Sequence, residues 1–389
     1  MPVLDNARAA IREEGLSGWL LHNVFHRDEI ADLLLEVPRD RSNTRPWTCV
    51  LLPEGDPVKI VHRIEASVLA HVPGRTILYH TREEYLRALS SALPRGGPVA
   101  ADFSPDFPVV SFLDHGMARL AEGLGARLVP SAALVARTLG TIDREGIRSH
   151  EAAAKVLYAE VGKAWSRIGE ELRRGSRLSE ADVQGWLSRG LAAAKLVSDG
   201  PALVASGPHT ADPHYAVSGR GALLEPGDVV LFDVWAREDS PSSVFADISW
   251  VGVLAKEPSE RHRESFAAIV AAREAAVRCL EQGLGSGGKV RGAEVDAAAR
   301  ETLARLGFSA AIRHRTGHSI GNRVHGFGVN LDSVEFPDTR VIPEGACVSI
   351  EPGVYFEDFG MRTEIDVYIQ DGRLVVSGGE RQRALLCLG

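Results

Sequence analysis

The chain has 389 residues, 44% of them hydrophobic and 25% charged, and 44 basic against 52 acidic side chains give a net charge of −8. This is a globular balance that excludes a disordered, collagen-like or coiled-coil chain, and an acidic excess without a basic block argues against nucleic acid or an anionic membrane as partner. No run approaches a membrane span, the N-terminus lacks the apolar core of a signal peptide, and Cys49, Cys279, Cys347 and Cys387 are scattered without CxxC spacing, so a cytoplasmic enzyme is expected.

Residues 3–14 have the spacing of an amphipathic helix, and the apolar stretch from Gly18 to Leu21 follows. Segments 47–52, 57–62 and 76–80 are bounded by Pro or Gly, as strands are, and GGPVAADF resembles another. Strands alternating with helical runs predict a small α/β domain. Around Thr141 the texture changes to helical spacing over about thirty positions, which ends in Arg173-Arg174-Gly175, the expected cation and Gly stop signals. Ser179 to Asp182 resembles a capping box opening the next helix. Beyond residue 200 short strands dominate, interrupted by helical patterns over 259–282 and 292–306. The expected organisation is α+β: an α/β domain over 1–142 and a second domain over 143–389.

Acidic residues recur at matched places. Val229, Leu231, Asp233 and Trp235 share one side of a strand, REDSPSS is the turn, and Asp247 lies on the return. Asp233 and Asp247 are equidistant from Ser240, which predicts two carboxylates directly opposite one another. Glu351 and Glu364 are likewise equidistant from the turn at Glu357 and Asp358, and Gly227 precedes Asp233 by the same interval as Gly345 precedes Glu351. Opposed like charges among apolar flanks need a cation. Arginine pairing or a solvated face would account for either hairpin alone, whereas a pair of divalent cations accounts for both. Between the hairpins lie His314, His318 and His325 among Gly317, Gly321, Gly326 and Gly328. Four carboxylates and an imidazole form a hard, oxygen-rich set suited to Mn²⁺, Co²⁺, Fe²⁺ or Zn²⁺.

On these residues the sequence resembles the pita-bread metallopeptidases, a group that includes methionine aminopeptidase, prolidase, aminopeptidase P and creatinase, and most of all their Xaa-Pro branch. The resemblance covers roughly residues 145–385, and the preceding domain is similar in layout to a creatinase-like N-terminal domain. It implies that Asp233 chelates one metal, that Asp247 and Glu364 bridge two, and that His318 and Glu351 hold the other, with Mn²⁺ the leading candidate. It implies that His325 and His214 contact substrate near the scissile bond, and that His314, Arg362 and Tyr355, which match further positions of the branch, bind substrate. Departures are the long turn between Asp233 and Asp247, Trp235 where glycine is usual, and the Gly-Phe-Gly that follows His325.

The expected reaction is hydrolysis of an N-terminal Xaa-Pro bond in a short peptide by a metal-bridged hydroxide, with Glu351 as general base and proton shuttle. The enzyme would be an aminopeptidase or a dipeptidase and, by resemblance, a homodimer. The alternatives are a creatinase-like hydrolase of a non-peptide C–N bond and a non-catalytic pita-bread binding protein. Either would be expected to have lost ligands, and the set is complete. Three other features read as structural. Gly283 to Val290 nearly fits a P-loop but follows a helix and lacks the hydroxyl. His22 and His26 lack the Glu of HExxH, and the basic stretch Arg39 to Arg45 reads as a solvated loop. No GxSxG elbow supports a serine nucleophile.

Overall fold

A computed structural model gives the fold over residues 2–285 and 289–389, and the chain divides into two units, Met1–Leu139 and Gly140–Gly389. In the first unit, β1 (Gly18–Asn23) is buried along its whole length, as a strand covered on both faces must be. It pairs antiparallel with β2 (Trp47–Leu51), and β2 pairs antiparallel with β3 (Val58–His62). β4 (Arg75–Tyr79) extends the sheet parallel to β3, while β5 (Pro98–Ala101) and β6 (Arg127–Pro130) extend it in parallel on the other side of β1. The order is β4-β3-β2-β1-β5-β6. Helices α1 (Pro2–Glu13), α2 (Glu29–Leu34), α3 (Arg82–Ala92), α4 (His115–Gly123) and α5 (Ala132–Thr138) complete the unit. One face of the sheet packs Leu20, Val50, Ile60 and Val99 against Tyr85, Leu89 and Met117.

His22 and His26 do not converge. His22 Nδ1 lies 3.0 Å from Thr48 Oγ1, whereas His26 is held by Asp32 and the Arg41 carbonyl. Arg39, Arg41 and Arg45 are exposed.

The second unit opens with the helical run as one element, α6 (Arg144–Arg173), capped by Asp143. Then α7 (Glu180–Ala193) starts from a reciprocal Ser179–Asp182 capping box. Strands β7 (Leu196–Val197), β8 (Leu203–Ser206), β9 (Val229–Glu238) and β10 (Ala246–Val253) follow, with α8 (Glu260–Gly285) and α9 (Gly292–Arg305) after them. The last strands are β11 (Cys347–Ile350), β12 (Gly353–Tyr355), β13 (Gly360–Arg362), β14 (Ile365–Gln370), β15 (Arg373–Val376) and β16 (Leu386–Cys387). One sheet runs β16-β10-β9-β7 with β8 also on β9, and β11-β14-β15 and β12-β13 form two more. Part of the glycine-rich stretch, 286–288, lies outside the described residues. Among the described residues no helix is long and apolar enough to cross a membrane.

Period-two alternation in β9 and β10 positions the chemistry. Val230, Phe232, Val234, Ala246 and Ile248 pack with Leu157, Val161, Trp165 and Ile168 of α6, and Trp165 stacks on Phe232 with centroids 4.7 Å apart. Burying each large apolar side chain contributes about 1.5–3 kcal/mol, and this fixes which face of the hairpin turns inward. Asp233, Asp247 and Ser249 are left on the opposite face.

The expected pairing of Asp233 with Asp247 is corrected here. Asp247 stands opposite Trp235, and Asp233 stands opposite Ser249. The turn is closed by Ser243, which bonds through its backbone and hydroxyl to the Ser240 carbonyl, and the hairpin is centred one residue beyond Ser240. Partners therefore slip by two, an even number, so both carboxylates keep their face and become diagonal neighbours. The second hairpin keeps its expected register but is interrupted. Ile350 pairs with Ile365 and Gly353 with Arg362, leaving Glu351 and Glu364 opposite each other in the break between the two ladders.

Candidate metal centre

The break between β11 and β12 is where the second unit is stitched together. Glu364 N–H donates to the Ser249 carbonyl at 3.2 Å, Glu351 N–H to the Thr316 carbonyl at 2.7 Å and Ser349 N–H to the His318 carbonyl at 2.9 Å. These bonds bring three chain segments, 247–249, 316–318 and 351–364, around one point. Gly317 makes the approach possible, since a Cβ there would stand 2.0 Å from the Ser349 carbonyl oxygen.

Asp247, His318 and Glu364 each turn a ligand atom inward, and these atoms lie within 4.8 Å of one another. His318 Nε2 is 3.7 Å from Asp247 Oδ2 and 3.6 Å from Glu351 Oε1. The other ring nitrogen, Nδ1, faces the Ser319 carbonyl at 3.2 Å, so it carries the proton and Nε2 presents a lone pair. Burial holds His318 well below its ordinary pKa, with His325 adding to the effect, so the ring is neutral. A lone pair aimed at two ionised carboxylates is repulsive unless a proton or a metal cation lies between them.

The acids carry the same signature. Asp247 Oδ1 and Glu364 Oε1 are buried with no hydrogen-bond partner. Burial first, and neighbouring acids second, push Asp247 and Glu364 well above the usual carboxylate range. Burial lifts Glu351 to about 7 although Arg362 draws it down. Orphaned carboxylate oxygens around a neutral imidazole fit a hard divalent cation, which Asp247, His318, Glu351 and Glu364 would hold.

Asp233 stands apart in this arrangement. Its Oδ2 is 2.6 Å from Arg362 Nη2, and its Oδ1 accepts from Ser249 Oγ at 2.9 Å. A guanidinium thus lies beside this one carboxylate. Ser249 Oγ also lies 2.7 Å from Glu364 Oε2, sharing its one proton between the two carboxylates, and accepts from Arg362 Nε at 2.8 Å.

His314, Tyr355 and Arg362 form a chain behind the acids. His314 Nδ1 donates to the Arg315 carbonyl at 2.7 Å, so its Nε2 accepts from Tyr355 OH at 2.8 Å. Arg362 Nη1 is 3.4 Å from the same phenol oxygen and donates to the Pro213 carbonyl at 3.2 Å. Burial takes His314 down to about 3 and Tyr355 up to about 12. His325 sets its ring edge-on to His318, with centroids 4.3 Å apart. His214 is exposed on the segment after β8.

Three buried groups in or around the centre were not read from the sequence. Ser249 and Asp366 lie two residues after Asp247 and Glu364, so the period-two rule that selected the acids also selects them. Asp366 Oδ2 accepts from Asp247 N–H at 2.7 Å. Arg273 of α8 donates to Thr363 Oγ1 at 2.7 Å, and nothing in the local pattern marks it.

The pattern of metallopeptidase family M24 matches residues 137–371, more than half of the chain. Probable dipeptidase PepE of Mycobacterium tuberculosis is 28% identical over 378 residues, which cover 95% of this chain and 92% of that protein. The Xaa-Pro dipeptidase of Lactobacillus helveticus is 31% identical over 172 residues, covering 44% of this chain and 42% of that enzyme. Among solved structures, dipeptidase PepE of Mycobacterium ulcerans superposes with a TM-score of 0.73 at 23% identity, over 100% of this chain and 97% of that one. That likeness establishes the pita-bread fold, preceded by a creatinase-like α/β unit.

Proposed function

The chain belongs to metallopeptidase family M24, and from that membership we propose that it hydrolyses Xaa-Pro dipeptides with two divalent cations, Mn²⁺ foremost. Asp247, His318, Glu351 and Glu364 would hold one cation, and Asp233 with Asp247 and Glu364 the other. The observation that carries the proposal is the convergence of His318 Nε2 with Asp247, Glu351 and Glu364, beside buried carboxylate oxygens that have no hydrogen-bond partner. When bound, the cations supply Lewis acidity, polarising the scissile carbonyl and lowering the pKa of water.

The remaining work falls to the chain's own groups. Glu351 would take a proton from the attacking water and return it to the departing prolyl nitrogen. His325 and His214 would donate to the developing oxyanion or to that nitrogen. Proline offers no backbone N–H, so a site that places no acceptor there favours the imide bond. Arg362, ion-paired with Asp233 and hydrogen-bonded to Ser249 and the Pro213 carbonyl, would help hold these groups in place. The relatives named as dipeptidases favour a dipeptide over a longer substrate. Four free thiols suit a reducing cytoplasm, and a homodimer completes the proposal.

Metal-stripped protein reconstituted with Mn²⁺, Co²⁺ or Zn²⁺ should cleave Ala-Pro in preference to Ala-Pro-Ala and Ala-Ala. Equal cleavage of the tripeptide would make it an aminopeptidase. Bound metal without cleavage of any peptide would overturn the substrate, and absence of metal binding would overturn the centre itself.

A further inference from the structure

We propose that Glu180 is a positioning residue for the reaction: its buried carboxylate gathers the segment 206–222 around itself and so fixes where His214 stands. The inference rests on the peptidase reading above, in which His214 meets the substrate.

The segment joins β8 to β9 and contains only one turn of 3₁₀ helix, Gly207–Ala211. A connection of this length with so little regular structure must be held from outside itself. Glu180, the first residue of α7, is fully buried and accepts four hydrogen bonds from along the segment. Ser206 N–H reaches Oε1 at 2.8 Å and Ala222 N–H reaches Oε2 at 2.7 Å, fixing both ends. His209 Nδ1 reaches Oε1 at 2.9 Å and Tyr215 OH reaches Oε2 at 2.7 Å, fixing the middle. The two rings held in this way stack on each other, with centroids 4.3 Å apart and planes 24° from parallel. His214 is the residue next to Tyr215.

On its other side the segment is tied to the metal centre. Gly360 N–H of β13 donates to Thr210 Oγ1 at 2.9 Å, and Arg362 Nη1 donates to the Pro213 carbonyl. The same guanidinium pairs with Asp233. Glu180 therefore holds the segment from the α7 side while β13 holds it from the centre, and His214 lies on the stretch between Pro213 and Tyr215. Gly221 shows how closely the chain wraps the carboxylate, because a Cβ there would stand 2.3 Å from Glu180 Oε2.

Glu180→Gln keeps the shape of the side chain but turns two donors of its own toward groups that donate to it. The expected result is faster amide hydrogen exchange across 207–222, unchanged Mn²⁺ content, and kcat/KM for Ala-Pro lower by about tenfold to a hundredfold, the cost of misplacing a reacting group. Because Glu180 acts through His214, Glu180→Gln should cost nothing further in a His214→Ala background. Wild-type exchange rates in the variant, or losses that multiply in the double variant, would overturn the proposal. Tyr215→Phe removes a single donor and should give a smaller loss in the same direction; it carries the test if Glu180→Gln does not fold. Should the unaltered protein cleave no Xaa-Pro peptide, the functional reading falls, and hydrogen exchange alone decides whether Glu180 holds the segment.

Discussion

Ser249 concentrates the problem of the centre in one side chain. A hydroxyl has one proton and two lone pairs, yet Ser249 Oγ lies 2.9 Å from Asp233 Oδ1, 2.7 Å from Glu364 Oε2 and 2.8 Å from Arg362 Nε. It can donate fully to only one carboxylate, so the other needs a different counter-charge. Ser249→Ala should weaken Mn²⁺ binding by about tenfold to a hundredfold, as losses around metal ligands do. It should also cost about 1–3 kcal/mol by stranding the buried Arg362 Nε–H. Calorimetric titration and chemical denaturation would measure the two effects separately. The acids and His318 were legible in the sequence because each stands out against its apolar or glycine-rich flanks. Ser249 shares the face that alternation predicts, but its part in the centre was not legible, because a serine gives no sign of what it bonds until its neighbours in space are known. Arg362 was legible as a member of the site. Its pairing with Asp233 depends on side-chain direction, which spacing does not encode.

At the scale of elements, the centre depends on how closely strands and loops approach one another. Gly317 bridges to Leu331 and runs against the backbone of β11. Gly317→Ala would drive its Cβ into the Ser349 carbonyl, so it should cost more than about 2 kcal/mol and shift His318 enough to reduce bound metal. Thermal melting together with metal analysis would show both. The two hairpins mark the limits of sequence reading at this scale. Alternation correctly placed Asp233 and Asp247 on one face, because apolar burial against α6 sets the parity of a strand. Counting from an assumed turn centre placed them directly opposite, and the turn chemistry of Ser240 and Ser243 overrode that count. In the second hairpin, counting gave the register but not the interruption, which the neighbouring loop at Thr316 imposes through its bond to Glu351.

At the scale of the molecule, each unit has its own chemical control over stability. For residues 140–389, a cation that binds only the folded centre stabilises by mass action, about 2.7 kcal/mol at a hundredfold excess over Kd. Mn²⁺ should therefore raise the melting temperature of this unit and a chelator should reverse the rise, with no such response in His318→Ala. The first unit should respond to pH. Asp102 is fully buried, accepts from Trp19 Nε1 at 2.8 Å and Ser131 Oγ at 2.6 Å, and is pushed up to about 6 by burial. Burial and the charge of Asp102 push Asp28 the same way. Between the unfolded value of about 3.9 and the folded value, the native state keeps a proton that the unfolded chain has released. Stability should therefore fall as pH rises through about 4 to 6, by up to about 1.4 kcal/mol per pH unit. Asp102→Asn keeps an acceptor for Trp19 and Ser131 and should flatten that slope in denaturation curves taken across the window.

The slip of the first hairpin by two residues leaves an indole cross-strand from a candidate metal ligand. Trp235 faces Asp247 in the ladder, and its Nε1 donates to Asp199 Oδ1 at 2.5 Å. An excited indole is quenched by a nearby paramagnetic ion, so the protein carries a built-in optical gauge of its own loading. Titrating Mn²⁺ or Co²⁺ into metal-stripped protein should dim the emission in step with occupancy, while Zn²⁺, with its filled d shell, should leave most of the brightness. Trp235→Phe should abolish most of the change. Trp235 would thus let the loading of the centre be followed by light, without any substrate.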